Sequence, residues 1–181
     1  MASDDFSATN NPLAAPWASV TGFTQLQSTG GACRRITGEG LMVYSTSSVQ
    51  HSEVVIGASS SAEDGGPALF STTGNGYHVS NIDGTNIDIV KYTGGSFSDV
   101  SSAAGTYGPG DTVALYFDGN DVVVTKNAAE ARRWTDSTHR TNLKPGVFNG
   151  NADMEIASWT DGATAGTPLA VFMNQYRLRR T

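Results

Sequence analysis

The nearest approach to a carboxylate pair in this sequence is Asp153-Met154-Glu155. Glycoside hydrolysis needs one carboxyl as acid and a second about 5.5 Å away as nucleophile, and residues two apart on a strand share a face. A solvated outer face opposite Met154 and Ile156 explains the same spacing, and that is the expectation. His51, His78 and His139 each have Ser or Asp nearby in sequence. No G-x-S-x-G turn accompanies them, so surface or loop roles are expected rather than a nucleophilic triad. Metal-ligand spacings of the H-x-x-x-H or C-x-x-C kind are absent from the sequence. Gly38-Glu39-Gly40 and Gly74-Asn75-Gly76 do not complete a phosphate-cradling G-x-G-x-x-G.

Two patterns fit binding better. Asp118, Asn120 and Asp121 place hard oxygen ligands in one turn, which suits calcium, and the same Asp-Gly-Asn-Asp is what a tight hairpin turn requires. Tyr77, Tyr92, Tyr107 and Trp134 could offer ring faces to the apolar side of a sugar, or serve as ordinary core or edge-strand aromatics.

Composition narrows the elements that must position these residues. The chain has 181 residues, enough for one domain with a two-sheet core. Its 21 Gly, many Ser and Thr, and 15% charged residues disfavour long helices. A net charge of -6 argues against nucleic acid as a partner. The single cysteine, Cys33, leaves no intramolecular disulfide and is expected as a buried thiol. No window has the roughly 20 apolar residues of a membrane span.

Short alternating runs broken by turn residues continue from Asp4 to Trp159, the pattern of an all-β sandwich. The clearest unit is Asp111 to Lys126, where Val113, Leu115 and Phe117 alternate with Thr112, Ala114 and Tyr116 before Asp118-Gly119-Asn120 turns into Val122-Val123-Val124. Further strands are expected at Trp17–Thr21, Leu41–Tyr44, Glu53–Gly57, Tyr77–Ser80, Asn86–Lys91, Ala129–Trp134 and Asp153–Trp159. Gly65-Gly66-Pro67, Gly74-Asn75-Gly76 and Gly94-Gly95-Ser96 read as connections. Trp17 and Phe117 are expected to be largely buried.

Residues 1–162 therefore read as the sandwich, and residues 163–181 as a linker with an arm or a final strand. In the arm, Leu169, Val171, Phe172, Met173 and Tyr176 lie beside Arg177, Arg179 and Arg180. Basic residues on an otherwise acidic chain suit an interface with another subunit, while a last strand pairing within the domain is the alternative.

Asp5-Phe6 followed by Asn10, Leu13 and Trp17 resembles the opening of concanavalin-like jelly rolls, the superfamily of laminin-G modules and glucanases. The Asp111–Lys126 hairpin resembles that family's penultimate hairpin, and Ile156-Ala157-Ser158-Trp159 its closing strand. The resemblance spans Asp4 to Gly162 and departs at Ala8 and Asn11, where the family often has Arg and Gly. It implies a two-sheet antiparallel β-sandwich whose first and last strands are neighbours, bringing Phe6 near Ile156 or Trp159. The superfamily's glucanases carry E-x-D-x-x-E or E-x-D-x-E on one strand, and neither occurs here, so no enzyme is expected. No cofactor is expected either.

Domains of this type occur in glycan-binding proteins and in tailed-phage virions. The start at Met1 without a signal segment favours the second. The expectation is a capsid decoration protein, made in a host cytoplasm and carried on the virion, with the major capsid protein or other virion subunits as partners and self-association possible. By mass action, binding only the assembled lattice would stabilise it. A carbohydrate-binding module with a glycan partner is the alternative, and a divergent glycanase the third reading.

Overall fold

The computed structural model describes residues 1–58, 64–81 and 84–162. Among these there is no helix, and the chain forms β1 (Ser3–Asp4), β2 (Trp17–Ser19), β3 (Leu26–Thr29), β4 (Ala32–Arg35), β5 (Gly40–Tyr44), β6 (His51–Ile56), β7 (Gly65–Phe70), β8 (Gly76–Ser80), β9 (Asn86–Thr93), β10 (Ser96–Ala104), β11 (Thr112–Asp118), β12 (Asp121–Lys126), β13 (Ala129–Thr135), β14 (Lys144–Asn149) and β15 (Ile156–Thr160). One sheet runs β13-β12-β11-β6-β15-β4-β3, with β1 added against β15, and the other runs β10-β9-β8-β7-β14-β5-β2. The strands pair antiparallel, and the two sheets make the expected sandwich.

The hairpin read from Asp111 to Lys126 is β11 and β12, with Asp118 opposite Asp121. Gly119 has φ 57 and opens the two-residue turn, the position where a primed hairpin turn demands glycine. Val113, Leu115, Val122 and Val124 face the space between the sheets, which they fill with Leu69, Tyr77, Val79, Ile89 and Val147. Trp17 is buried there as expected, its ring 4.9 Å from Trp159 and 5.8 Å from Phe6, and its indole N–H donating to Asp4 Oδ2 at 2.7 Å. Asp4 lies opposite Trp159, so the first and last described strands are neighbours. Phe117 is only partly buried, against Tyr77 and the Arg140 guanidinium. Cys33 is fully buried, and burial pushes its thiol far up.

One glycine stretch read as a connection belongs to a strand, and another makes the β7–β8 reversal as expected but ends inside β8. Gly65-Gly66-Pro67 opens β7, because a Cβ on Gly65 would meet the Met154 side chain at 2.7 Å and the Tyr107 hydroxyl donates to Gly65 O at 2.7 Å. Gly76 begins β8, where a Cβ would stand 2.1 Å from Leu69 O. Close approach of backbones is what Gly65 and Gly76 permit, while Gly74, at φ 91, serves the reversal between β7 and β8. The arm, with Leu169, Phe172, Tyr176, Arg177, Arg179 and Arg180, lies outside the described residues.

Candidate functional site

Three of the four aromatics considered as sugar platforms are packed away. Tyr77 is 0% exposed, Tyr107 2% and Tyr92 9%; Tyr77 on β8 and Tyr107 in the β10–β11 connection pack into the core between the sheets, and Tyr92 on β9 packs against Phe23 and Phe70. Trp134 keeps part of its surface, with the Lys91 ammonium 5.6 Å from its ring centroid.

The calcium reading meets a competing cation. The Arg133 guanidinium bonds Asp118 at 3.0 Å, Asp121 at 2.8 Å and Glu130 at 2.8 Å, so the turn carboxylates are already compensated. No group of three or more potential metal-ligating side chains occurs among the described residues. Asp153 and Glu155 do not share a strand face: Asp153 is exposed in a turn, and Glu155 is buried and ion-paired with Arg34. The expectation of a solvated pair is corrected by Met154, which turns the chain inward there. His51 and His78 are also buried rather than on the surface.

His139 reaches an accessible site. The β7–β8 loop contributes Ser71, Thr72, Thr73 and Asn75, and the segment after β13 contributes Thr138, His139, Thr141, Asn142 and Leu143, to a hollow of about 460 Å³. Hydroxyl, amide and imidazole groups dominate this lining.

Both loops are held by their own hydrogen bonds. Ser71 N–H donates to Asn75 O at 2.8 Å, and Gly94 N–H donates to Asn75 Oδ1 at 3.0 Å. On the other side, Thr138 N–H donates to Asp136 Oδ1 at 2.8 Å, while Gln50 Nε2 donates to Arg140 O at 2.6 Å. A buried network stands behind the hollow: the Tyr77 hydroxyl donates to Asp136 at 2.8 Å, and Lys91 Nζ donates to Asp136 at 2.7 Å and to Thr138 Oγ1 at 2.6 Å. Burial alone would raise the Asp136 carboxyl, but the Lys91 ammonium, the Thr138 N–H and the Tyr77 hydroxyl hold it well below its ordinary value. Burial chiefly pushes the Tyr77 phenol up to about 12. Burial and then the Lys91 charge push His139 down, with Asp136 opposing. At neutral pH its imidazole is uncharged and both donates and accepts; Nε2 is 2.6 Å from Thr93 Oγ1.

The outer face of the β10-to-β2 sheet is different. Phe70, His78, Tyr92, Phe97 and Phe148 lie on it, with His78 stacked on Phe148 at 3.9 Å and Phe23 edge-on to Phe70 at 5.6 Å. At its other end the Asp64 carboxyl accepts from Ser80 Oγ at 2.9 Å. Burial raises it against the opposing Ser80 hydrogen bond and Arg35 charge, and the Asp99 charge adds a smaller rise.

No protein-family model and no curated protein sequence matches this chain. Solved structures do. The carbohydrate-binding module CBM66 from Bacillus subtilis is similar at TM-score 0.55 and 15% identity, over 83% of this chain and 90% of that one. The GH43 protein BlXynB from Bacillus licheniformis is similar at TM-score 0.56 and 14% identity, over 87% of this chain and 38% of that longer one. A variant of the GH16 endo-β-1,3(4)-glucanase SCLam is similar at TM-score 0.53 and 11% identity, over 87% and 91%. At these identities the likeness is one of fold: the chain is a concanavalin-like jelly-roll β-sandwich.

Proposed function

We propose that this domain is a non-catalytic carbohydrate-binding module whose loop-end hollow takes a neutral sugar. The observation that carries the reading is the hollow of about 460 Å³, lined by side chains that donate and accept without net charge. Sugars present many hydroxyls, each able to do both, and preset partners lose little entropy on binding them. The fold is shared with a carbohydrate-binding module and with glycoside hydrolases, which agrees with the reading. The arm expected to contact a capsid lies outside the described residues, and no feature of the described domain favours a capsid partner over a glycan.

The test is a glycan array followed by calorimetry on wild type and on His139→Ala combined with Thr141→Ala. Binding of a neutral oligosaccharide that weakens about tenfold or more in the double variant, with the melting temperature kept, agrees with loss of one or two hydrogen bonds. An array with no hits, or affinity unmoved by the substitutions, overturns the reading.

A further inference from the structure

The outer face of the β13-to-β3 sheet carries two adjoining hollows, of about 350 and about 190 Å³, which share Glu53 and Thr160. Strand register explains their alignment. Thr125 lies opposite Ala114, Ala114 opposite Glu53, Glu53 opposite Thr160 and Thr160 opposite Ser3. The row crosses five strands, roughly 19 Å at ordinary strand spacing. It reads hydroxyl, methyl, carboxylate, hydroxyl, hydroxyl.

Glu53 at its centre is half-buried and has no hydrogen-bond or ion-pair partner among the described residues. The ion-paired basic residues of this sheet serve other carboxylates: Arg133 holds Asp118, Asp121 and Glu130, Lys126 holds Asp111, and Arg34 holds Glu155. Arg35 donates to Gly38 O and Gly150 O, and Arg132 forms no ion pair with a described residue. Beside Glu53 on β6, His51 is 7% exposed, stacked on Tyr116 with ring centroids 5.5 Å apart, and its Nδ1 has no hydrogen-bond partner. Its imidazole is pushed down chiefly by burial and does not supply a compensating charge at neutral pH.

A carboxylate partly removed from water without a counter-charge gains most from a cationic ligand, through a charge-assisted hydrogen bond. The flanking hydroxyls add partners for a ligand that is otherwise polyhydroxylated. We propose that this groove is a second saccharide subsite, selective for a sugar bearing a free primary ammonium, with the ammonium on Glu53 and ring hydroxyls on Thr125 and Ser3; the Thr160 hydroxyl between them is held by Ala2 O and the Gly162 N–H. The proposal rests on the glycan-binding reading of the domain but uses different residues.

The experiment compares β-1,4-linked glucosamine tetramer with cellotetraose, which differs from it in carrying hydroxyl in place of amine. Binding is measured by calorimetry at a pH where the amine is charged. Wild type is expected to prefer the amino sugar about tenfold, the scale of one hydrogen bond to a charged group. Glu53→Gln should abolish the preference. Asp153→Asn, which removes the same charge from an exposed turn, should keep it. Equal affinity for the two tetramers, or an equal loss in Asp153→Asn and Glu53→Gln, overturns the subsite. In that case cellotetraose binding sensitive to His139→Ala leaves the loop-end reading standing. If no sugar binds at either place, both fail.

Discussion

The Ser71–Asn75 loop separates two regions that use opposite chemistry. On one side lies the loop-end hollow, polar, open and backed by the Tyr77–Asp136–Lys91 network. On the other lies the outer face of the β10-to-β2 sheet, where Phe23, Phe70, His78, Tyr92 and Phe148 are packed together. The two are joined, since Thr21 N–H donates to Thr72 O at 3.1 Å and ties the covering loop to the rim of the hollow. Aromatic rings here close a sheet face, while small polar residues in loops are left to meet a ligand. Stability and recognition are thereby assigned to different side chains, and substitutions should separate them.

The largest expected effect is on stability. Phe148→Ala removes a 2% exposed ring that stacks on His78 and meets Phe23. It should cost about 3 to 5 kcal/mol in denaturant unfolding, the range for a buried aromatic truncated to alanine, with oligosaccharide affinity of the remaining folded protein unchanged. Affinity that falls in step with stability would mean the two regions are one site.

Acid should act on the aromatic face next. Burial pushes His78 from its ordinary value down to about 3, and its Nδ1 has no partner. Below about pH 6.5 the unfolded chain takes up a proton that the folded one refuses, so stability falls as pH drops from there towards 3, at up to about 1.4 kcal/mol per pH unit. His78→Phe removes this term. Urea titrations at pH 7 and pH 4 should show the variant gaining about 3 kcal/mol on wild type between the two. A gap independent of pH would show that the imidazole is charged or solvated in the folded state.

How much of this was legible in sequence depends on what each residue advertises. Val113 to Val124 alternate around Asp118-Gly119-Asn120, so pairing and facing followed from period and turn chemistry alone. β7 and β14 sit centrally and are buried, yet they begin Gly65-Gly66-Pro67 and Lys144-Pro145-Gly146, residues that resemble turns when their packing partners are unseen. β10 is an edge strand with polar residues on both faces, and Ser96 to Ala104 carries no alternation to detect. The hollow was less legible still. Thr72, Thr73, Thr138 and Thr141 are ordinary loop residues, and only the packing of two loops distant in sequence makes them a site. The aromatics were visible, but ring type does not report exposure, so platform and core roles stay open in the sequence, and only the packing places Tyr77, Tyr92 and Tyr107 inside.

A smaller effect should appear where the two functions touch. Tyr77 is fully buried but its hydroxyl bonds Asp136, which also holds Thr138 on the rim of the hollow. Tyr77→Phe should cost about 1 to 3 kcal/mol, the penalty for leaving a buried acceptor short of a donor. It should also weaken sugar binding severalfold by loosening Thr138. Full affinity at reduced stability would confine the network to a structural role.

The smallest effect distinguishes backbone from side chain within the hollow itself. Asn142 lines it and has φ 60, a left-handed conformation that asparagine tolerates better than other residues bearing a Cβ. Asn142→Ala keeps the Cβ but loses the amide that eases this conformation, so it should destabilise by about 1 kcal/mol. Asn142→Gly relieves the conformation and should stay within about 0.5 kcal/mol of wild type, since the glycine's extra freedom in the unfolded chain offsets part of that relief. Both remove the same donor and acceptor, so both should lower oligosaccharide affinity equally if the amide touches the ligand. Equal stability of the two variants would mean the turn is not strained, and loss of affinity in Asn142→Ala alone would mean that Asn142 serves the hollow through the loop's shape rather than through its amide.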